Sequence, residues 1–142
     1  MIPNAAITRT DDLAACHAIR RTVFIEEQNV PEALEMDDLD AAAIHLLAVE
    51  GGRPVGTARL LIDGETGKIG RVAVLVEHRG SGLGAALILA ALDELRTMPG
   101  VTTAKLGAQL HALGFYEKLG FTARGPVYDD AGIPHRDMTR PL

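Results

Sequence analysis

The 142-residue chain contains no tryptophan, only 4% aromatics and a single cysteine, Cys16. A lone thiol excludes an intramolecular disulfide framework and every cysteine-based zinc site, and it fits a reducing, cytoplasmic setting. No apolar run reaches the ~20 residues of a membrane-spanning helix, so no membrane partner is expected. The opening segment MIPNAAITRTDD also lacks the basic and apolar regions of a secretion signal. Positive charge is scarce: 14 Lys and Arg against 19 Asp and Glu leave a net charge of -5. That balance argues against a nucleic-acid partner, which calls for a basic stripe, and favours a cationic ligand. The five histidines, at 17, 45, 78, 111 and 135, show no metal-ligand spacing, so no metal is expected.

What is present suits a compact domain. Hydrophobic residues make up 47% and charged residues 23%, with a mean hydropathy of +0.12. A chain of this length buries roughly two thirds of its unfolded surface without staples. With no repeat, linker or low-complexity segment, residues 1–142 are expected to form a single domain.

Residues 5–10 read as a short strand, followed by a helix that Thr10 can cap and whose first turn holds Asp11 and Asp12. Ala15, Cys16, Ile19 and Val23 share one face of that helix, which should stop near Gln28, before Pro31. The acidic stretch 32–40 shows no period and reads most simply as a solvated loop. IHLLAVE (44–50) and RPVGTARLLI (53–62) flank Gly51 and Gly52 as a hairpin, and residues 69–76 form a third strand after a turn at 63–67. A glycine turn then runs into a helix that is apolar almost all round until Asp93 and is stopped by Pro99 and Gly100. A strand at 101–106 and a helix at 109–119 follow, with Gly120 as a left-handed cap. Strands at 121–128 and 134–140 are joined by a DDAG turn. The order β-α-β-β-β-α-β-α-β-β defines an α+β fold, a mixed and mostly antiparallel sheet of about seven strands with one parallel crossover.

The segment Arg79-Gly80-Ser81-Gly82-Leu83-Gly84 lies between a strand and a helix N-terminus, which makes an anion site. Glycines allow close backbone approach, free N–H groups point outward and the helix dipole favours a phosphate or pyrophosphate. Arg79 can add a direct charge. A nucleoside triphosphate loop is excluded, because Gly84-Ala85-Ala86 supplies neither the lysine nor the hydroxyl it needs. Gly80, Gly82 and Ala85 match a dinucleotide fingerprint, but the next strand ends Lys105-Leu106-Gly107 and offers no acidic residue for a ribose.

With the preceding strand RVAVLV, this turn resembles the Arg/Gln-x-x-Gly-x-Gly/Ala motif of the GNAT superfamily of acyl-coenzyme A dependent N-acyltransferases. Phe115-Tyr116-Glu117-Lys118-Leu119-Gly120-Phe121 resembles that superfamily's second motif at about the expected separation. The resemblance covers nearly the whole chain. Residues Val23 to Gln28, Asp37 to Asp40, His45 and Gly132 to His135 are similar to the ElaA-like branch. It implies a GNAT-like sheet in which the strand before the glycine turn splays from its neighbour. Backbone groups at Val72, Ala73 and Val74 then hold the pantetheine arm and acyl carbonyl, and Arg79, Gly80, Ser81, Gly82, Leu83 and Gly84 hold the pyrophosphate. Tyr116 matches the tyrosine that protonates the departing thiolate. Gln109 stands where many members carry an asparagine that contacts the cofactor.

The implied reaction is transfer of an acyl group, acetyl in the simplest case, from acetyl-CoA to a primary amine by direct attack in a ternary complex. The acceptor is a small molecule or peptide, and a homodimer is compatible with the resemblance. A thiol of pKa about 8.5 is a fair leaving group, so a tyrosine acid near pKa 10 helps without being indispensable. An alkylamine of pKa about 10.4 is mostly protonated at neutral pH, and freeing it costs on the order of 4 to 5 kcal/mol unless a base takes the proton. Glu26, Glu27, Asp37, Asp38, His45, His111 and His135 are all candidates for that base. The second function class is a non-catalytic acyl-coenzyme A binding or sensing module, which would keep the glycine turn yet need no Tyr116.

Overall fold

The computed structural model describes residues 5–142. Residues 1–4, which open both the segment read for a secretion signal and the 1–142 unit, lie outside the described residues. Strand β1 (Ala6–Thr10) leads into helix α1 (Leu13–Arg20), which widens into a π-helical stretch at Arg21–Glu27. Asp12 rather than Thr10 caps α1, its Oδ1 accepting from the Ala15 N–H at 3.1 Å. The Thr10 hydroxyl instead accepts from the Asp12 N–H, holding the cap itself.

A short helix, α2 (Glu32–Glu35), occupies the acidic stretch, and the strands β2 (Ile44–Glu50), β3 (Arg53–Asp63) and β4 (Thr66–Val74) form the expected meander. The glycine turn then feeds α3 (Leu83–Arg96). Strand β5 (Thr103–Gln109) runs three residues further than expected, because β7 (Ile133–Pro141) pairs with it as far as Gln109 opposite His135. The helix expected from residue 109 therefore shrinks to a 3-10 turn at Leu110–Ala112 and α4 (Leu113–Glu117). Strand β6 (Thr122–Asp130) closes the fold as a hairpin with β7. Seven strands lie in the order β1-β2-β3-β4-β5-β7-β6, antiparallel except for the β4–β5 pair.

Period-two alternation divides the core. Leu46, Ala48, Ala58 and Leu60 point to one face, where α3 buries Leu83, Leu87, Ile88, Ala91, Leu92 and Leu95. Leu47 and Ala73 point to the other, under Cys16, Ile19 and Val23 of α1. Cys16 is thus a core residue whose thiol pKa is raised by burial, in keeping with a packing role. No helix among the described residues is long and apolar enough to cross a membrane.

Candidate active site

The site exists because β4 leaves β5. The two strands pair only from Thr66–Thr103 to Lys68–Lys105, so from Ile69 to Val74 the β5-side edge of β4 has no strand partner. A register break against β3, at Thr57/Arg59, accompanies this departure, and the extra residue Arg71 sits at φ +49° in the left-handed region. Such a conformation is strained for a long side chain and needs external anchors. Arg71 has them: its Nη2 donates to the carbonyls of Leu34 and Glu35 and to Asp37 Oδ2, at 3.3, 3.1 and 3.1 Å.

These anchors belong to a buried ionic cluster that composition could not foretell. Arg20, 1% exposed, donates to Glu35 Oε1 at 2.6 Å and to Asp40 Oδ1 at 2.9 Å. Arg59 donates to Asp37 Oδ1 at 2.7 Å and Oδ2 at 3.0 Å, and also to Asp40 Oδ1 at 3.1 Å. His17 meets Asp40 Oδ2 at 2.8 Å. The acidic stretch is therefore only partly solvated, since Glu35 and Asp40 are buried. Burial works against the Asp40 carboxylate, but hydrogen bonds from Arg20, His17 and Arg59 outweigh it and hold its pKa well below the usual range. Asp37 is lowered too: burial opposes its charge, and hydrogen bonds from Arg59 and the Leu39 N–H prevail.

A depressed folded-state pKa adds stability that is fully present above the unfolded value of about 3.9 and disappears as pH falls through the folded value. Melting curves from pH 7 down to 3 should accordingly show a steep loss of stability below about pH 4, and Asp40→Asn should flatten it. An equally steep fall in the variant would remove the cluster from the explanation.

The opened edge borders a cleft of about 420 Å³, lined among others by Phe24, Gln28, Val72, Tyr116, Tyr128 and His135. Of the cofactor positions expected from sequence, Val72 faces this cleft, whereas Ala73 is buried beneath α1. The Val74 carbonyl accepts from Arg79 Nε at 3.0 Å, which ties the glycine turn to the end of β4. Arg79 carries a second partner: its Nη2 lies 3.0 Å from Glu27 Oε1 and 2.8 Å from Oε2. Its charge is thus shared with Glu27 rather than free for a phosphate.

Gly80 and Gly82 adopt φ of +78° and +88°, and Gly82 is the N-cap of α3 with no side chain to occupy the helix end. The Ser81 hydroxyl donates to the His78 carbonyl at 2.7 Å and stiffens the turn. Leu83 is buried and anchors the first turn of α3, while a Cβ at Gly84 would meet only Phe115 Cζ at 3.7 Å. No side chain caps this end of α3, and a Cβ at Gly80 would meet nothing within 4 Å.

Phe115 also links the turn to Tyr116, whose ring lies edge-on to it at 5.0 Å between centroids. Burial raises the Tyr116 pKa, and no charged or hydrogen-bonding side chain contributes to that shift. The phenol therefore stays protonated at neutral pH. Gln109 reaches the cleft from the end of β5, where its amide donates to Gln28 Oε1 at 3.3 Å and bridges to the end of the π-helical segment.

Sequence reasoning missed Gln28, Arg71, Tyr128 and Asp130 as cleft residues. Arg71 carried one usable signal, an arginine interrupting a β-branched strand. Tyr128 carried none: its hydroxyl donates to Asp137 Oδ1 at 2.9 Å and crosses Gly107, where a Cβ would collide with it. Burial first, and that carboxylate second, push its pKa up to about 12.

This mostly antiparallel seven-stranded sheet, opening beside a glycine turn at a helix N-terminus, is shared with solved acyl-CoA N-acyltransferases. The chain belongs to the GNAT acetyltransferase family: that family's domain model matches residues 8–142. It is 36% identical to the protein ElaA of Escherichia coli over 132 residues, covering 90% of this chain and 86% of ElaA. It is 37% identical to the uncharacterized N-acetyltransferase YjcF of Bacillus subtilis, covering 86% of this chain and 87% of that one. The crystal structure of ElaA superposes with a TM-score of 0.83, 31% identity and coverage of 96% and 99%. That of an acyl-CoA N-acyltransferase from Pseudomonas aeruginosa gives 0.81, 32% identity and the same coverage.

Proposed function

We propose that residues 1–142 form a single acyltransferase unit that moves an acetyl group from acetyl-CoA to a primary amine, in a small molecule or peptide, by direct attack within a ternary complex. The observation that carries this reading is the unpaired edge of β4, which opens into the same cleft as Tyr116. When bound, the thioester supplies the activated acyl carbonyl. Backbone groups of Val72, Ala73 and Val74 would align the pantetheine arm and donate to the carbonyl oxygen as negative charge grows there. The turn from Arg79 through Gly80, Ser81, Gly82 and Leu83 to Gly84 would receive the pyrophosphate, with Arg79 redistributing its contact with Glu27. Gln109 would exchange its bond to Gln28 for one to the cofactor.

Tyr116 would protonate the departing sulfur, a role its raised pKa supports by keeping the proton on the phenol. No metal enters this chemistry. The cytoplasmic setting is supported by the buried, unpaired Cys16 thiol, and the net charge of -5 supports an amine rather than nucleic acid as partner.

The test is release of free thiol from acetyl-CoA against a panel of amines, with the acylated product identified by mass. Transfer to at least one amine is expected. Tight acetyl-CoA binding without transfer to any amine would leave the binding-module reading. Tyr116→Phe keeps the ring and removes only the hydroxyl, so affinity and melting temperature should hold while turnover falls roughly tenfold to a hundredfold, at or below the low end of the range for general acids because a thiolate is a fair leaving group. Unchanged turnover with chemistry rate-limiting would sink the acid assignment, and parallel losses of turnover and stability would make Tyr116 a packing residue.

A further inference from the structure

Of the seven side chains that could serve as base, the structure leaves two beside the cleft. Glu27 and Asp37 do not line it, and Asp37 is held besides by Arg59 and Arg71. His45 is buried with Nε2 on the Asp40 carbonyl at 2.9 Å, and the exposed Glu26 and Asp38 do not border the cleft. His111 and His135 both line it. Only His135 is held in one orientation. Its Nδ1 lies 2.7 Å from the Ile133 carbonyl, which can only accept, so Nδ1 carries the hydrogen. In the neutral ring, Nε2 then holds the lone pair, and among the described residues it has no protein partner.

The ring is further fixed by stacking. Tyr128, directly opposite on β6, lies 6.0 Å away between centroids at an interplanar angle of 25°. Tyr128 is in turn anchored to Asp137, and Gly107 provides the room its hydroxyl needs. A chain of four residues thus orients one imidazole beside the opened edge of β4. The structure assigns, on the basis of the transferase reading above, His135 Nε2 as the general base for the attacking amine.

In balance, the free amine nitrogen bonds to the thioester carbonyl carbon while its surplus proton passes to Nε2. The C–S bond breaks, its electron pair goes to sulfur, and Tyr116 protonates the thiolate. Solvent then returns the proton from His135 to Tyr116, giving amide and free thiol. An imidazole suits this task because its Nε2 lone pair can take a proton while Nδ1–H stays bonded to the Ile133 carbonyl. The titratable and charged groups that share the cleft with it are Tyr128 and Asp130 from β6, His111 from the turn after β5, Tyr116 from α4, Glu35 from α2 and Arg71 from β4, with Asp137 two residues along β7.

His135→Asn is the discriminating variant, because its amide N–H takes the place of Nδ1–H toward Ile133 while the Nε2 lone pair is lost. Turnover should fall roughly a hundredfold to ten-thousandfold, the acid limb of the kcat/KM profile should vanish, and acetyl-CoA binding and melting should be unchanged. Added imidazole should restore rate to His135→Ala. Independently of any acceptor, ¹⁵N spectra of the unliganded protein near pH 8 should show the Nδ1–H tautomer at His135. Turnover within twofold of the parent, a retained acid limb, or an Nε2–H tautomer would overturn the assignment. Loss of acetyl-CoA binding in the parent would overturn the transferase reading instead, and the tautomer would still be read.

Discussion

Arg20→Met is expected to destabilise the fold by about 3 to 5 kcal/mol, the loss typical of removing one partner from a buried ionic group. Methionine fills the space of the arginine stem but leaves Glu35 Oε1 without its 2.6 Å donor and Asp40 Oδ1 without one of its two arginines. Arg20 is 1% exposed and Glu35 3%, so water does not reach either group to compensate. Burial alone would disfavour the Arg20 charge, yet hydrogen bonds to Asp40 and Glu35 raise its pKa, which marks the pairing as the dominant effect. Replacing Glu35 as well, in Arg20→Met/Glu35→Met, should recover part of the loss, because two buried apolar groups no longer strand a charge. Urea or thermal unfolding of the three proteins measures this. A loss below about 1 kcal/mol, the range of exposed pairs, would show that solvent enters the cluster.

Gly82→Val should abolish acetyl-CoA binding. At φ +88° every L side chain is strained, and a β-branched one most of all, so the turn must shift or the residue must hold a conformation costing about 1 to 3 kcal/mol. The same side chain projects at the N-cap of α3, where the sequence leaves the helix end bare and the amides of the first turn free. Strain and obstruction act on different readouts. Strain lowers the melting temperature of the unliganded protein, whereas obstruction removes the stabilisation that ligand adds. Calorimetric titration is expected to show at least a hundredfold weaker binding, equivalent to about 2.7 kcal/mol. Normal affinity in a folded Gly82→Val protein would place the pyrophosphate elsewhere.

Much of the fold around this site was readable from residues close in sequence. A glycine turn opening an apolar helix predicts the burial of α3, because a helix that is apolar almost all round must be covered. Leu87, Ile88, Ala91 and Leu92 are fully buried, as the all-round apolar helix required. The ionic cluster was not readable, since Arg20, Glu35, Asp40, Arg59 and Arg71 come from five separate segments and each looks like a surface charge in its own surroundings. The end of β5 was misjudged for a similar reason. Gly107, Ala108 and Gln109 have no local strand signal, and pairing with Asp137, Arg136 and His135 extends the strand. The cap shifted from Thr10 to Asp12 because both can accept from a helix N–H, and only the three-dimensional path of the chain decides which one does.

The β4 edge, the bare α3 N-terminus and Tyr116 together amount to one claim, that this cleft receives an acyl-coenzyme A. Thermal unfolding with acetyl-CoA, NAD and ATP, each at the same concentration, tests it most directly. A ligand at a hundred times its dissociation constant stabilises the native state by about 2.7 kcal/mol, on the order of 10 °C for a chain of this size. Acetyl-CoA should produce such a shift while NAD and ATP leave the melting temperature unchanged. An equal shift with NAD, or none with acetyl-CoA, would contradict the account.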